Sequence, residues 1–94
     1  MDGSHNQTGV LTPQQLLAAR ALVGWSREAL AQKSGVPAIT TKQFENGSTD
    51  PRLSTLHKWR RALEAAGVLF IDPDAKSDEG GAGVRLLRGT KGKR

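Results

Sequence analysis

Ser26-Arg-Glu-Ala-Leu-Ala-Gln-Lys-Ser-Gly-Val-Pro-Ala-Ile-Thr-Thr-Lys-Gln-Phe-Glu-Asn-Gly47 is the stretch that decides the fold. Ser26 is a helix cap, and Arg27 to Ser34 follow as a short helix with Leu30 and Ala31 turned inward. Gly35 stops that helix as a left-handed C-terminal cap. Only Val36 and Pro37 separate it from a second short helix, Ala38 to Asn46. Pro37 suits the start of that helix, where its missing N–H removes no internal hydrogen bond. Asn46-Gly47 ends it. Leu30, Ala31, Val36 and Phe44 form an inner face, and the glycine permits a sharp corner between the helices. The outer face of the second helix then shows Ala38, Ile39, Thr40, Lys42 and Gln43. Small and polar with one cation, that face fits the major groove of duplex DNA without a steric block.

The chain on either side supplies the frame. Thr12-Pro13-Gln14-Gln15 starts a helix by a capping hydroxyl, a proline at the first helical position and a glutamine three residues after the cap. Leu16, Ala19, Arg20 and Val23 fall on one face, and Gly24 ends the run. After the Ser48 to Pro51 loop, a fourth helix is predicted from Leu53 to Ala66. Leu53, Leu56, Trp59 (or Arg60) and Leu63 repeat at helical spacing, and Gly67 is its stop. Val68-Leu-Phe-Ile71 is an apolar run of strand length, and Gly83 to Leu87 reads as a second strand after a Gly- and acid-rich stretch. An isolated hairpin is marginal in water, so these strands need cover from the fourth helix or from a second copy of the chain. The expected class is mainly α: a four-helix domain containing a helix-turn-helix, followed by a C-terminal β-hairpin. The expected divisions are a flexible arm over residues 1–11, the helix-turn-helix domain over 12–67, a strand element for dimerisation over 68–87, and a basic tail over 88–94.

Composition narrows the function. Ninety-four residues make one domain with a modest core, which dimer formation would help to stabilise. The formal charge is +5 and the isoelectric point near 10.3, consistent with an anionic partner. Cysteine is absent, which excludes a disulfide scaffold and any thiolate metal site and fits a reducing cytoplasm, the expected location. Neither a bilayer-spanning segment nor a secretion signal is expected, since no apolar run is long enough to span a bilayer and Met1 to Gly9 are polar. Its few aromatic residues, Trp25, Phe44, Trp59 and Phe70, argue against a stacking platform for single strands. Trp25 and Trp59 are read as core or interface residues. His5 and His57 have no companion at metal-ligand spacing, and no cofactor is expected.

The segment Arg27 to Gly47 resembles the helix-turn-helix of the XRE family, which includes the Cro and repressor proteins of lambdoid phages. Leu-Ala-Gln-Lys-x-Gly and Phe-Glu-Asn-Gly stand at the family's spacing, and the resemblance spans roughly Leu16 to Gly67, implying a lambda-repressor-like fold for the four helices. It implies that Ala38, Ile39, Lys42 and Gln43 read bases. Gln43 would pair with adenine N6 and N7, and Ile39 would pack on a thymine methyl. It implies positioning on the sugar-phosphate backbone for Ser26, Arg27, Pro37, Thr40, Asn46, Ser48 and Arg52, with a phosphate at the start of the first motif helix. Arg20 and Glu45 match a pair that forms a structural salt bridge in the family. Two residues depart from the pattern. Thr41 stands where an apolar β-branched residue is usual, and its hydroxyl is expected to bond back to a carbonyl one turn earlier. Pro37 replaces a Ser or Thr cap and so loses a hydroxyl that would meet the DNA.

The sequence carries no nucleophile elbow, phosphate loop, ligand cluster or usefully spaced carboxylate pair, so an enzyme is not expected. Asp72, Asp74, Asp78 and Glu79 have the wrong spacing for a calcium loop. The expected function is a sequence-specific, double-stranded DNA-binding transcription regulator, a repressor acting as a homodimer joined through Val68–Ile71 and Val84–Leu87. The alternative is an antitoxin-type DNA-binding protein that also binds a protein partner. No effector domain is expected after the motif.

Overall fold

The computed structural model describes residues 11–72 and 81–87. Its elements are α1 (Pro13–Val23), α2 (Arg27–Ser34), α3 (Ala38–Glu45), α4 (Leu53–Ala65), β1 (Val68–Ile71) and β2 (Gly83–Leu86). Local chemistry fixes the first two helix starts. The Thr12 hydroxyl accepts the Gln15 N–H at 3.1 Å while the Gln15 side-chain oxygen accepts the Thr12 N–H at 2.9 Å, a complete capping box. Ser26 Oγ accepts the Ala29 N–H at 3.0 Å. No side chain caps α3; the Pro37 carbonyl accepts the N–H groups of Thr40 and Thr41 at 3.0 and 3.3 Å. Gly35, between α2 and α3, has φ +80° and open space where a Cβ would stand. Its need for glycine is therefore conformational and not steric.

One core joins the four helices and β1, and Val84 of β2 packs against it. Leu16 and Ala19 of α1, Leu30 of α2, Val36 of the turn, Phe44 of α3 and Leu56, Trp59 and Leu63 of α4 are buried together with Val68 and Phe70 of β1. Trp59 lies at its centre. Its ring stacks on Phe44 at 5.0 Å between centroids, and its indole N–H donates to Thr41 Oγ1 at 3.1 Å. The buried polar hydroxyl of α3 and the buried polar nitrogen of α4 thus satisfy each other. The expected back-bond of Thr41 gives way to this partner on another helix.

The hairpin is antiparallel, with Val68 opposite Leu86, Leu69 opposite Arg85, and Phe70 opposite Val84. The Leu87 N–H extends the ladder by donating to the Gly67 carbonyl at 2.8 Å. Cover comes from the same chain, since Val68 and Phe70 sit in the helical core. Gln15 completes the attachment. Its Nε2 donates to the Ile71 carbonyl at 3.0 Å and to the Gly83 carbonyl at 2.9 Å, clasping both strands to the first turn of α1. Arg60 stands over the Phe70 ring at 5.0 Å and pairs with Glu64 at 2.9 Å, so it serves packing.

Two expectations need correction. Leu11, assigned to the arm, is buried against the core, so the boundary of the folded unit moves ahead of it. Leu53, in register with the apolar repeat of α4, is 56% exposed. The first turn of α4 stands in solvent and burial begins at Leu56, because periodicity marks a face but not where its cover starts. Residues 1–10, 73–80 and 88–94, with the remainder of the expected arm, most of the acidic stretch and the basic tail, lie outside the described residues.

Candidate nucleic-acid interface

α3 turns Thr41 and Phe44 into the core, and this orientation sets what the opposite side shows. Ile39, Lys42, Gln43 and Asn46 are exposed there. Their spacing is that of a single helical face. Ile39 is 57% exposed there and offers an apolar contact on this face. Ala38 and Thr40 are half-buried at the first turn, and Pro37 is exposed just before it. A shallow groove runs between this face and the start of α2. Arg27, Glu28, Ala38, Ile39 and Lys42 line it. Four of the residues singled out from the sequence, on two elements, therefore meet at one surface feature.

The remaining positions divide. Ser26 is exposed at the α2 cap, with its oxygen accepting the Ala29 N–H. Ser48 closes α3: both its N–H, at 2.8 Å, and its hydroxyl, at 3.1 Å, donate to the Gln43 carbonyl. That closure is local structure, and it fixes the end of the helix that carries Gln43. Arg52 is exposed at the N-cap of α4 and is not part of the groove.

Beneath the groove lies a charged cluster. Arg20 of α1 grips Glu45 at the end of α3 through two hydrogen bonds, Nε to Oε2 at 2.7 Å and Nη2 to Oε1 at 2.9 Å. Arg20 Nη1 also donates to the Trp25 carbonyl at 2.9 Å, tying in the α1–α2 linker. Arg27 Nε reaches the same carboxylate at 3.0 Å. Sequence reasoning assigned Arg27 to phosphate alone and missed this contact. The only sequence signal for it is a cation at the first position of α2, which does not reveal that Glu45 folds back beneath it. Gln15 was missed in the same way: as a capping residue it is visible, as a clasp on the hairpin it is not. Trp25 is partly buried against the core, with the Lys33 ammonium 5.8 Å from its ring centroid. Among the described residues, no helix is long and apolar enough to cross a membrane.

A helix-turn-helix family model matches residues 16–66, more than half of the chain. The match covers most of α1 and all of α2, α3 and α4, and stops short of the hairpin. No curated protein matches the chain.

Proposed function

The chain belongs to the XRE-type helix-turn-helix family and is a DNA-binding transcription regulator, and from that premise we propose that it is a repressor that binds as a homodimer, with α3 in the major groove. The observation that carries this reading is the exposed face of α3, where Ile39, Lys42 and Gln43 stand out of a helix whose other side is locked into the core. Gln43 supplies a bidentate partner for adenine, Lys42 a donor for guanine O6 or N7, and Ile39 a contact for a thymine methyl. Ser26, Arg27, Asn46 and Arg52 act on the backbone, setting register without reading sequence. Repression needs only occupancy, since a bound protein excludes other proteins from the same duplex.

Dimerisation would place two α3 helices in successive major grooves about 34 Å apart on a near-palindromic site. The hairpin is the surface proposed for it. Leu69, Leu86 and Leu87 remain exposed there after Val68 and Phe70 are buried, and strand edges pair readily with a second copy. Removing the hairpin is the wrong test, because it takes part of the monomer core with it. Leu69→Glu with Leu86→Glu changes the exposed surface and leaves the core. Sedimentation of wild type and variant, free and on a duplex carrying two half-sites, tests the proposal. The expected result is a wild-type dimer and a variant monomer with an unchanged circular dichroism spectrum. A variant that stays dimeric removes the hairpin from the interface.

A further inference from the structure

Glu45 holds two arginines and uses them differently. Its side chain is only 2% exposed. Arg20 commits all its guanidinium nitrogens within the protein, two to Glu45 and one to the Trp25 carbonyl. Arg27 commits only Nε, to Glu45 Oε1, and neither of its Nη groups has a hydrogen-bond partner among the described residues. The Arg27 side chain is 37% exposed and lines the groove beside Ala38, Ile39 and Lys42. A guanidinium is a planar fork, so a bond at Nε fixes the plane in which the two outer groups lie. The carboxylate that does so is itself held by Arg20 and belongs to the helix that carries Lys42 and Gln43.

We propose that Glu45 is a positioning residue for DNA recognition, holding Arg27 by Nε so that its two Nη groups present an oriented, two-pronged donor to one DNA phosphate at the mouth of the α2–α3 groove. This rests on the DNA-binding reading above and adds a dependence that a simple charge contact lacks. A free arginine loses rotamer freedom when it meets a phosphate; Arg27 is ordered before the DNA arrives. The geometry also links two tasks. The residue that ends the base-reading helix aims the phosphate contact at the start of α2, so the two helices meet the duplex in one register. Lysine carries the same charge but has neither an Nε to be held nor a fork to present.

The test is a double-mutant cycle on a duplex selected by the wild-type protein, with folding followed by circular dichroism and binding measured below the melting transition. Arg27→Lys should weaken binding roughly tenfold, because a bidentate charge-assisted contact is lost. The slope of affinity against salt should stay the same, because the number of cations is the same. In a Glu45→Gln background, Arg27→Lys should weaken binding by only about threefold, since the hold is already loosened. A second measurement does not depend on how well Glu45→Gln folds. The Nε–H resonance of Arg27 in the free wild-type protein should be protected from exchange and report a rigid side chain, as ordered as in the complex. Arg27→Lys binding within twofold of wild type overturns the proposal. So does an equal loss in both backgrounds, or a freely rotating Arg27 before DNA is added. A wild-type protein that selects no duplex at all overturns the DNA-binding reading itself, and this proposal with it.

Discussion

Thr41 shows how one residue can look like a flaw and act as a fastener. By position it belongs to an apolar series, and valine would match it in shape. Yet its hydroxyl accepts the indole N–H of Trp59 at 3.1 Å in the centre of the core. Thr41→Val would leave that N–H buried without an acceptor, at about 1–3 kcal/mol. Chemical denaturation should show this loss, and adding Trp59→Phe to Thr41→Val should cost less than the sum of the separate losses. Additive losses would mean that the hydroxyl matters for some other reason. This partner was not legible in the sequence because local rules suggest a carbonyl one turn back, whereas Trp59 lies on a different helix. The Arg20–Glu45 pairing is different. Its residue types and spacing are those of the resemblance, and Arg20 is only 13% exposed in the pair. Arg20→Met leaves Glu45 with Arg27 as its remaining guanidinium, and breaking so buried a pair should destabilise the fold by about 3 kcal/mol in the same denaturation experiment.

The elements were legible to the extent that each carries its own stop and start signals. α1 and α2 begin at side-chain caps and end at glycines, so their bounds follow from short stretches of sequence. Gly35 is the most demanding of these signals. At φ +80° an alanine fits in space but strains the backbone, so Gly35→Ala should cost about 1–2 kcal/mol and lower the melting temperature without removing a contact. What the sequence did not disclose is how elements meet. The strands are recognisable from their apolar runs, but their cover depends on Gln15, a residue more than fifty positions from either strand carbonyl it binds. Gln15→Leu removes one hydrogen bond from each carbonyl and the acceptor of the Thr12 N–H. The expected outcome is a loss of about 1–3 kcal/mol, with the amides of Leu69 and Arg85 exchanging faster relative to those of α2 and α3. If exchange rises equally everywhere, the clasp is not what holds the hairpin. The start of burial on α4 was also illegible, because Leu53 has the right period but lies in a turn that nothing covers.

At the scale of the molecule, charge and shape converge at the α2–α3 groove. Arg27 and Lys42 meet at the α2–α3 groove, and Arg52 stands exposed at the start of α4. If Arg27 and Arg52 of each protomer neutralise phosphates in a dimer, the logarithm of affinity should fall against the logarithm of salt with a slope of about −3.5. A titration giving a slope near half that value would indicate one bound protomer per site. The central claim is that α3 reads sequence, and selection from a random pool of duplexes tests it most directly, run in parallel with wild type and Gln43→Ala. The account predicts that the wild type enriches two related half-sites, centred about 10 base pairs apart. It also predicts that Gln43→Ala binds the best site about 1–3 kcal/mol more weakly and loses preference at one position of each half-site. Enrichment by Gln43→Ala of the same motif, with every position as sharply defined as for wild type, would contradict it.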